Sequence, residues 1–508
     1  METFDSYVLF LLIVVPLIGA AVIMLTPSRL AQAIRWAATA AASVNLLLSF
    51  YIFAAYDYEE GGFQFLRVWD WIQIPGPWEH GDKAITLNLG MDGIAAPMVL
   101  LTGIVLFTGV LISWRIANRN KDFFILYLLL LAGVFGVFVS VDMFFFFFFY
   151  ELAVLPMYML IGIWGSSSTF ATFSRTKEYS AMKLMLFLVA GSVLVWIAIM
   201  AIFVEAGLGT FNLMELQHVT FDNNFQRVFF PFLMIGFGVL AGLWPFHTWS
   251  PDGHVAAPTA VSMVHAGVLM KLGAFGIIRV GMLLLPEGAQ DWMAVLIALG
   301  TVNVLYGAWS ALGQTDLKYV IGYSSVSHMG YVMMGLATLH SLGVAGAVLQ
   351  MLSHGLMTAL FFAVVGVVYD RTHTRDMTVL DGLAKRMGFT AVFFALAGLA
   401  SLGLPGLSGF VAELLVFLGL FHTYPILGVL GIIGAGITAV YILRLLARVF
   451  FGPISERWQD QTDASGVERI AAIVLAGFIL LVGLFPFPFI RIINVGVLEL
   501  LARFEGVG

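Results

Sequence analysis

The 508-residue chain contains no cysteine and few charged residues. Without cysteine, disulfide bonds, Cys-ligated zinc, Cys-bound iron–sulfur clusters and thiol nucleophiles are excluded. Asp, Glu, Lys and Arg together make up 11% of the chain, against about 25% in typical soluble domains. The net charge of −6 supplies no basic surface, so nucleic acid is not expected as a partner.

The chain is instead rich in long apolar runs, with 61% hydrophobic residues and a mean hydropathy of +0.98. A soluble fold does not need so much apolar surface, whereas a bilayer accepts it, and a spanning helix takes about 20 apolar residues. This rule predicts an all-α polytopic membrane protein with about fourteen spans, which begin near residues 6, 32, 94, 122, 143, 180, 229, 257, 292, 317, 342, 387, 424 and 469.

Loop charges predict the orientation of these spans. The first apolar run, residues 6–26, follows acidic rather than basic residues, so we interpret it as a retained span and not as a signal peptide. Basic residues then cluster after odd-numbered spans, and the other loops are mostly acidic. The positive-inside rule therefore places both termini on the outer side. The basic groups include Arg29 and Arg35; Arg115, Arg119 and Lys121; Lys318; and Arg371, Arg375, Lys385 and Arg386.

Two candidate spans are interrupted by Gly and Pro. The seventh carries Pro245 and Pro251, and the twelfth carries the sequence GLPGLSG at 403–409. Broken spans in transporters line protein-buried or water-filled sites, because lipid cannot satisfy the freed backbone groups. The alternative is an ordinary kink that neighbouring helices tolerate. The sequence Trp-Ser-Pro-Asp at 249–252 is typical of a helix start, with Asp252 near its N-terminus.

The longest polar stretch, residues 56–93, contains Trp69, Trp71 and Trp78. We interpret it as an outer-surface loop or cap, and no soluble domain is evident.

Several ionisable residues fall inside the predicted spans, where a charge costs roughly 2.5–3.5 kcal/mol on insertion scales. Acids, lysines and histidines in such surroundings can titrate near neutral pH, so a row of them can pass protons without a metal. The alternatives are a structural ion pair for the acids and lysines, packing or capping roles for the histidines, and a snorkelling side chain for Lys183. The residues are Glu151, Lys183, His247, His254, His265, Lys271, His328, His354 and Glu413.

At these residues the sequence resembles the NuoM-type (chain 4) antiporter-like membrane subunit of respiratory complex I, NADH:quinone oxidoreductase, over essentially its whole length. The stretches that carry the resemblance are FFFFFFYELAVLPMYMLIGIWG (144–165), PFHTWSPDGHVAAPTAVSMVHAGVLMKLGAFGIIR (245–279), QTDLKYVIGYSSVSHMGY (314–331), SHGLMTALFF (353–362), THTRDM (372–377) and LPGLSGFVAELLVF (404–417).

The resemblance implies a fold of fourteen helices with two inverted five-helix repeats, in which helices 7 and 12 are broken. The two Gly/Pro interruptions fall at those positions. The implied organisation is an N-terminal segment (1–121) with its outer loop, a first repeat (122–285), a second repeat (286–452), and a final helix with its tail (453–508).

The resemblance also implies roles for individual residues. Glu151 matches the span-five glutamate that biases a neighbouring lysine, and Lys183 matches the family's span-six lysine. Lys271 matches the connecting lysine of span eight, and Glu413 matches the terminal glutamate of span twelve. His328 and His354 match the histidines of the central hydrophilic axis.

One position departs from the family pattern. The family's span-seven lysine aligns with Leu240, and the stretch 228–245 contains no ionisable residue. We hypothesise that His265, or His247 through water, replaces the missing proton carrier. The alternative is a divergent copy whose N-terminal half-channel is silent.

The function that the resemblance implies is proton translocation as a subunit of a membrane enzyme, driven by quinone reduction elsewhere in the complex. NADH, FMN, iron–sulfur clusters and quinone would then be bound by partner subunits, and no cofactor by this chain. The implied neighbours are the L-, N- and K-type membrane subunits and lipid, in the bacterial inner membrane. Two alternatives stay open: an Mrp-type cation/proton antiporter subunit, and a scaffold subunit that moves no ions.

Overall fold

The computed structural model describes residues 2–74, 83–169 and 174–505 and is predominantly helical. Trp78 and the end of the predicted C-terminal segment, residues 506–508, lie outside this range. In chain order the helices are α1 (Glu2–Leu25), α2 (Ala31–Ala55), α3 (Ala95–Ile112), α4 (Asn120–Val139), α5 (Met143–Trp164), α6 (Lys177–Ala206), α7 (Leu213–Leu216), α8 (Asn223–Ala241), α9 (Trp249–Ala256), α10 (Thr259–Met282), α11 (Pro286–Gly313), α12 (Leu317–Ala337), α13 (Ser341–Thr372), α14 (Gly388–Ser401), α15 (Ser408–Thr423), α16 (Pro425–Val449), α17 (Gly466–Leu484) and α18 (Phe487–Leu501).

Within the described residues, 12 helices are long and apolar enough to cross a membrane. They are α1–α6, α8, α10, α11, α13, α16 and α17. The polytopic all-α class is therefore confirmed. α12 has 21 residues but is less apolar, because it carries Lys318, His328 and several serines. α14 and α15 have 14 and 16 residues, each short of the roughly 20 that a span needs. The predicted count of fourteen stays a prediction.

α10 and α13 form the centre of the bundle and are buried along their whole apolar length. They approach closely because Gly267 of α10 faces Gly355 of α13. A Cβ built on Gly355 would lie 2.6 Å from the Gly267 carbonyl oxygen. Small residues at such contacts let the backbones of membrane helices pack directly. α10 also contains two π-helical turns, His265–Leu269 and Ile277–Met282, a distortion that often marks functional positions.

Both Gly/Pro interruptions are breaks in the structure, as predicted. α8 ends at Ala241, Gly242 follows with φ 76°, and the chain resumes helix at Trp249, so the Trp-Ser-Pro-Asp start is confirmed. α14 and α15 are separated by residues 402–407, where Gly403 and Gly406 have φ of 71° and 92°. Positive φ is accessible to glycine without a Cβ clash, so these glycines permit the turns.

The polar stretch at 56–93 is more regular than a loop. It contains the antiparallel hairpin of β1 (Gln64–Ile74) and β2 (Lys83–Met91). A second, minimal pair joins β3 (Ser168–Thr169) and β4 (Ser174–Arg175). Aromatic side chains of the hairpin contact the helical bundle. Trp69 packs on Phe10 of α1, and Trp71 packs on Phe144 of α5.

α18 was missed by the sequence reasoning, which assigned these residues to a tail. It begins at Phe487, directly after Pro486, and packs against the segment that leads into α3, where a Cβ on Gly93 would clash with the carbonyl of Ile492.

Candidate functional site

Lys271 lies at the centre of the bundle, fully buried on α10. Its ammonium nitrogen is 2.6 Å from Nδ1 of His354 on α13, and it also donates to the backbone carbonyl of Ala266. The close Gly267–Gly355 contact brings the two side chains together, because each glycine lies within four residues of one partner. No carboxylate lies within ion-pair distance of Lys271 in the described parts of the chain. Since a buried charge without a counter-charge costs several kcal/mol, the protonation of Lys271 responds strongly to its neighbours.

Lys271 and His354 begin a row of buried ionisable side chains that continues towards the second break, at residues 402–407. The rings of His354 and His328 stack with centroids 5.4 Å apart. Nδ1 of His328 is 3.4 Å from Oε1 of Glu413, and Nε2 of His328 is 3.0 Å from the Ser401 hydroxyl. Glu413 fits beside the second break because Gly403 has no side chain, and a Cβ there would lie 2.8 Å from Oε2 of Glu413. Four predicted residues, Lys271, His354, His328 and Glu413, are thus brought into one buried row.

A second pair of histidines lies on α9 and α10. The rings of His254 on α9 and His265 on α10 are 3.9 Å apart, and His265 also stacks on Trp249 at 5.1 Å. Gly253 makes this packing possible, since a Cβ there would lie 2.8 Å from the His265 ring. His265 is fully buried and therefore faces the protein and not lipid. The charge of Lys271 acts on both histidines.

Lys183 belongs to a different cluster, centred on Asp252. Its ammonium lies 2.8 Å from Oδ2 of Asp252, while Oδ1 accepts from Arg175 and, at 2.9 Å, from the Tyr319 hydroxyl. Asp252 is 1% exposed. The sequence reasoning noted Asp252 only as part of a helix start. The only signal in the sequence was an acidic residue beside the predicted break. The partners of Asp252 on α6 and α12 are distant in sequence, so they could not be predicted.

Within the described residues, no hydrogen bond or ion pair joins Glu151 to these groups. It lies on α5 beside Ser192 of α6, and its Oε1 has no hydrogen-bond partner among the described residues. Leu240 is fully buried on a stretch of α8 that packs directly on Gly273 of α10. His247 lies in the break and packs edge-on against Tyr306 at 5.0 Å, apart from the His254–His265 pair.

Two further buried ion pairs hold the ends of the central helices. Arg279 of α10 binds both oxygens of Asp92 at 2.8 and 2.6 Å. Arg371 of α13 binds both oxygens of Glu468 at 2.9 and 2.6 Å. Bidentate pairs of this kind fix geometry, and each lies at a helix end away from the row. We interpret both as structural.

The row is suited to moving protons within the bundle. Buried ring nitrogens of His247, His254, His265 and His354 lack hydrogen-bond partners within the described residues. Such polar positions are those that internal water satisfies, and water links groups too far apart for direct contact. The fold and the site thus define a class: polytopic membrane proteins with a buried row of Lys, His and Glu between two broken helices.

Comparisons with known proteins place the chain within this class. Residues 140–438 match the family described as "NADH:quinone oxidoreductase/Mrp antiporter, TM". The chain is 38% identical over 488 residues to "NAD(P)H-quinone oxidoreductase chain 4 2" of Thermosynechococcus vestitus, covering 94% of this chain and 89% of the relative. It is 36% identical over 468 residues to chain 4-2 of Synechocystis, covering 89% of this chain and 80% of the relative. The chain belongs to the NADH:quinone oxidoreductase/Mrp antiporter family of membrane subunits.

Solved structures agree with this assignment. A chain of respiratory complex I from Thermus thermophilus has a TM-score of 0.88 and 26% identity, covering 98% of this chain and 99% of that chain. A chain of the Mrp complex from Dietzia has a TM-score of 0.83 and 19% identity, covering 99% of this chain and 98% of that chain. The second likeness concerns the fold alone.

Proposed function

We propose that this chain is the chain 4-type, proton-translocating membrane subunit of a complex I-type quinone oxidoreductase. The observation that carries the proposal is the buried Lys271, which contacts His354 and continues through His328 to Glu413. Quinone reduction in partner subunits changes the charge next to the row, and the row responds by taking up and releasing protons. The contribution of this chain is to hold the titrating groups in contact and away from lipid.

The Mrp-type alternative is the weaker one. The two relatives named above as quinone oxidoreductase chain 4 are 38% and 36% identical to this chain, whereas the Mrp complex shares the fold at 19% identity.

The row extends over two inverted repeats in this proposal. The first consists of α4, α5, α6, the broken pair α8/α9, and α10. The second consists of α11, α12, α13, the broken pair α14/α15, and α16. With α1, α2, α3 and α17 these make the fourteen predicted spans. The two breaks occupy the fourth position of each repeat, and each lies beside a titratable group.

The N-terminal half works with a histidine pair in place of the missing span-seven lysine. Leu240 cannot carry a proton, but His265 is buried between His254 and Trp249 and senses the charge of Lys271. His265 with His254, and not His247, therefore takes the place of the lost carrier. Lys183 acts through its ion pair with Asp252, which sets the charge next to the break. Glu151 remains at the flank of the bundle, where a neighbouring subunit can influence it.

The proposed surroundings follow from the same assignment. The chain lies in a bacterial inner membrane with both termini outside, next to L-, N- and K-type membrane subunits and lipid. NADH, FMN, iron–sulfur clusters and quinone belong to partner subunits.

Replacement of Lys271 by Ala tests the proposal. We expect the complex to assemble, and proton pumping into inside-out membrane vesicles to fall several-fold, because the row loses its central carrier. The matched control is Lys385→Ala, at an exposed inner-surface lysine, which should pump as the unmodified complex does. An assembled Lys271→Ala complex with unchanged pumping contradicts transport through this subunit and favours a scaffold.

A further inference from the structure

Gln350 is a buried polar side chain that contacts the row, and the sequence analysis assigned it no role. It lies on α13, one helical turn before His354, so both side chains point to the same side of the helix. The residue is 1% exposed. Its amide nitrogen is 3.1 Å from Nδ1 of His328, whereas its amide oxygen has no hydrogen-bond partner among the described residues. A buried amide with an unpaired oxygen is costly, so an apolar side chain would suit this position better unless the amide nitrogen is needed.

Nδ1 of His328 has two neighbours with opposite requirements. Oε1 of Glu413, 3.4 Å away, accepts a hydrogen bond when the carboxylate is ionised, so it needs a proton on Nδ1. The amide nitrogen of Gln350 only donates, so it needs Nδ1 without a proton. One ring nitrogen cannot satisfy both groups at once. The protonation of Nδ1 therefore decides whether His328 is bonded to Gln350 or to Glu413.

The other ring nitrogen of His328 does not have to change. Nε2 lies 3.0 Å from the Ser401 hydroxyl, which can accept from an N–H in either state of the ring. A neutral His328 that accepts from Gln350 at Nδ1 carries its proton on Nε2, and a protonated His328 carries one proton on each nitrogen. Proton exchange at His328 is thus confined to Nδ1, the atom that Gln350 contacts.

The surroundings of His328 leave this choice to the same two neighbours. In the part of the chain that the structure describes, only Gln350 and Glu413 lie within hydrogen-bonding or ion-pair distance of Nδ1. The titratable groups that face His328 from the packed elements are Glu413 of α15, His354 of α13, Lys271 of α10 behind His354, Tyr331 of α12, and Tyr441 of α16 beside Ser401.

We propose that Gln350 is a positioning residue for the last proton transfer along the row. By donating to Nδ1 it holds His328 proton-free, so that a proton arriving on the ring passes on to Glu413. This inference rests on the proposed proton-translocating function. In the transfer the Nδ1–H bond breaks and an O–H bond forms at Oε1 of Glu413, so the imidazolium becomes a neutral ring and the carboxylate a neutral acid. The freed Nδ1 then accepts from Gln350, which favours the forward transfer and opposes its return.

Gln350 could instead only fill space and hold the His328 ring in place. Gln350→Met separates the two roles, because methionine is an unbranched side chain of similar length that has no donor. A structural role predicts less assembled complex with an unchanged pH dependence of pumping. The proposal predicts that pumping per electron falls at the acid end of the range and recovers at higher pH, since His328 gives up its proton less readily. Loss of one hydrogen bond to the neutral ring corresponds to an alkaline shift of about 0.5–1 pH unit.

Pumping is measured with the assembled complex in inside-out vesicles, at equal pH on both sides, from about pH 5 to pH 8, where histidines titrate. The matched control is Gln226→Met. Gln226 is a buried glutamine whose amide bonds backbone groups of Phe221, Glu287 and Gly288 and no member of the row. It should lower the amount of assembled complex without moving the pH profile. An unshifted profile in Gln350→Met overturns the proposal, and so does a shift to lower pH, because the amide oxygen would then be accepting from Nδ1–H.

The functional proposal is tested in the same vesicles by Lys271→Ala. If Lys271→Ala pumps normally, the proposed function itself fails. If Lys271→Ala loses pumping while Gln350→Met keeps the unmodified pH profile, the role of Gln350 alone fails.

The location of the proton is a second measurement, and it does not depend on pumping. A protonated carboxyl has a C=O stretching band that a carboxylate lacks, and the band that disappears in Glu413→Gln belongs to Glu413. In redox-induced infrared difference spectra of the purified complex, this band should lose at least half of its amplitude in Gln350→Met and keep it in Gln226→Met. Equal amplitudes in Gln350→Met and the unmodified complex overturn the proposal, as does the absence of such a band in the unmodified complex.

Discussion

At the scale of single residues, the site depends on groups that are buried without an opposite charge. Lys271 contacts a histidine and a carbonyl, and His265 contacts two aromatic rings. Neither group gains the Coulombic stabilisation that an ion pair gives to a buried charge. Asp252 is the opposite case, because its carboxylate is held by Lys183, Arg175 and Tyr319.

His265→Phe tests the replacement of the missing span-seven lysine. Phenylalanine keeps the stacking on Trp249 but removes both ring nitrogens, so we expect at least a threefold loss of pumping with little loss of assembly. His247→Phe, next to Tyr306, is the control and should pump close to normally. The proton pumping rate per electron is the quantity compared. Loss of pumping in His247→Phe alone would assign the replacement to His247 instead.

Asp142 gives a prediction for pH, since it lies between α4 and α5 and outside the spans. It accepts from the backbone N–H groups of Phe144 and Phe145 at 2.9 and 3.1 Å, and burial raises its pKa to about 7. A carboxyl whose folded pKa is raised binds its proton more tightly in the folded state. Its contribution to stability is therefore complete below about pH 4 and is lost as the pH rises to about 7.

Asp142→Asn should remove this dependence, because asparagine also caps a helix well and does not titrate. We expect the melting temperature of the detergent-solubilised protein to fall less between pH 5 and pH 8 in Asp142→Asn than in the unmodified chain. Asp222→Asn, at the exposed cap of α8, is the control and should leave the pH profile unchanged. Identical profiles for Asp142→Asn and the unmodified chain would rule out this assignment.

At the scale of elements, the contact between α10 and α13 sets the geometry of the row. A Cβ on Gly355 would lie 2.5 Å from Leu101 and 2.6 Å from the Gly267 carbonyl. Gly355→Val should therefore push α13 from α10, cost roughly 1–3 kcal/mol as overpacking does, and separate His354 from Lys271. We expect pumping to fall more than the amount of assembled complex does. Gly436→Val, where a Cβ meets nothing within 4 Å, should have little effect on either, and equal behaviour of the two variants would refute the packing argument.

The elements also show how far the sequence could predict the structure. Apolar runs of about 20 residues and the Gly/Pro interruptions are local signals, so the polytopic helical class and both breaks could be predicted from them. The hairpin at 64–91 did not, because two strands stabilised partly by packing on α1 and α5 leave little periodic signal. α18 was also not predicted. Its 15 residues are too few for a membrane span, and no Gly/Pro interruption marks it as half of a broken span. For the site, the residue types could be predicted, whereas the pairing of Lys183 with Asp252 and of His265 with His254 arises from tertiary contacts.

At the scale of the whole molecule, loop charges predict that both termini lie outside. The absence of cysteine makes this simple to measure. Glu505→Cys, near the C-terminus, should react with an impermeant maleimide in right-side-out vesicles, and Asp460→Cys, between α16 and α17, should react only in inside-out vesicles. The reverse pattern would invert the orientation.

The whole-molecule account requires that one buried row carries protons between the two halves, with Lys271 at its centre. Pumping by the assembled Lys271→Arg complex tests this most directly, because arginine keeps a positive charge and donors beside His354 but does not release its proton. The account predicts a loss of pumping as large as that of Lys271→Ala. Pumping at the unmodified rate in Lys271→Arg would contradict it, since a fixed charge would then suffice.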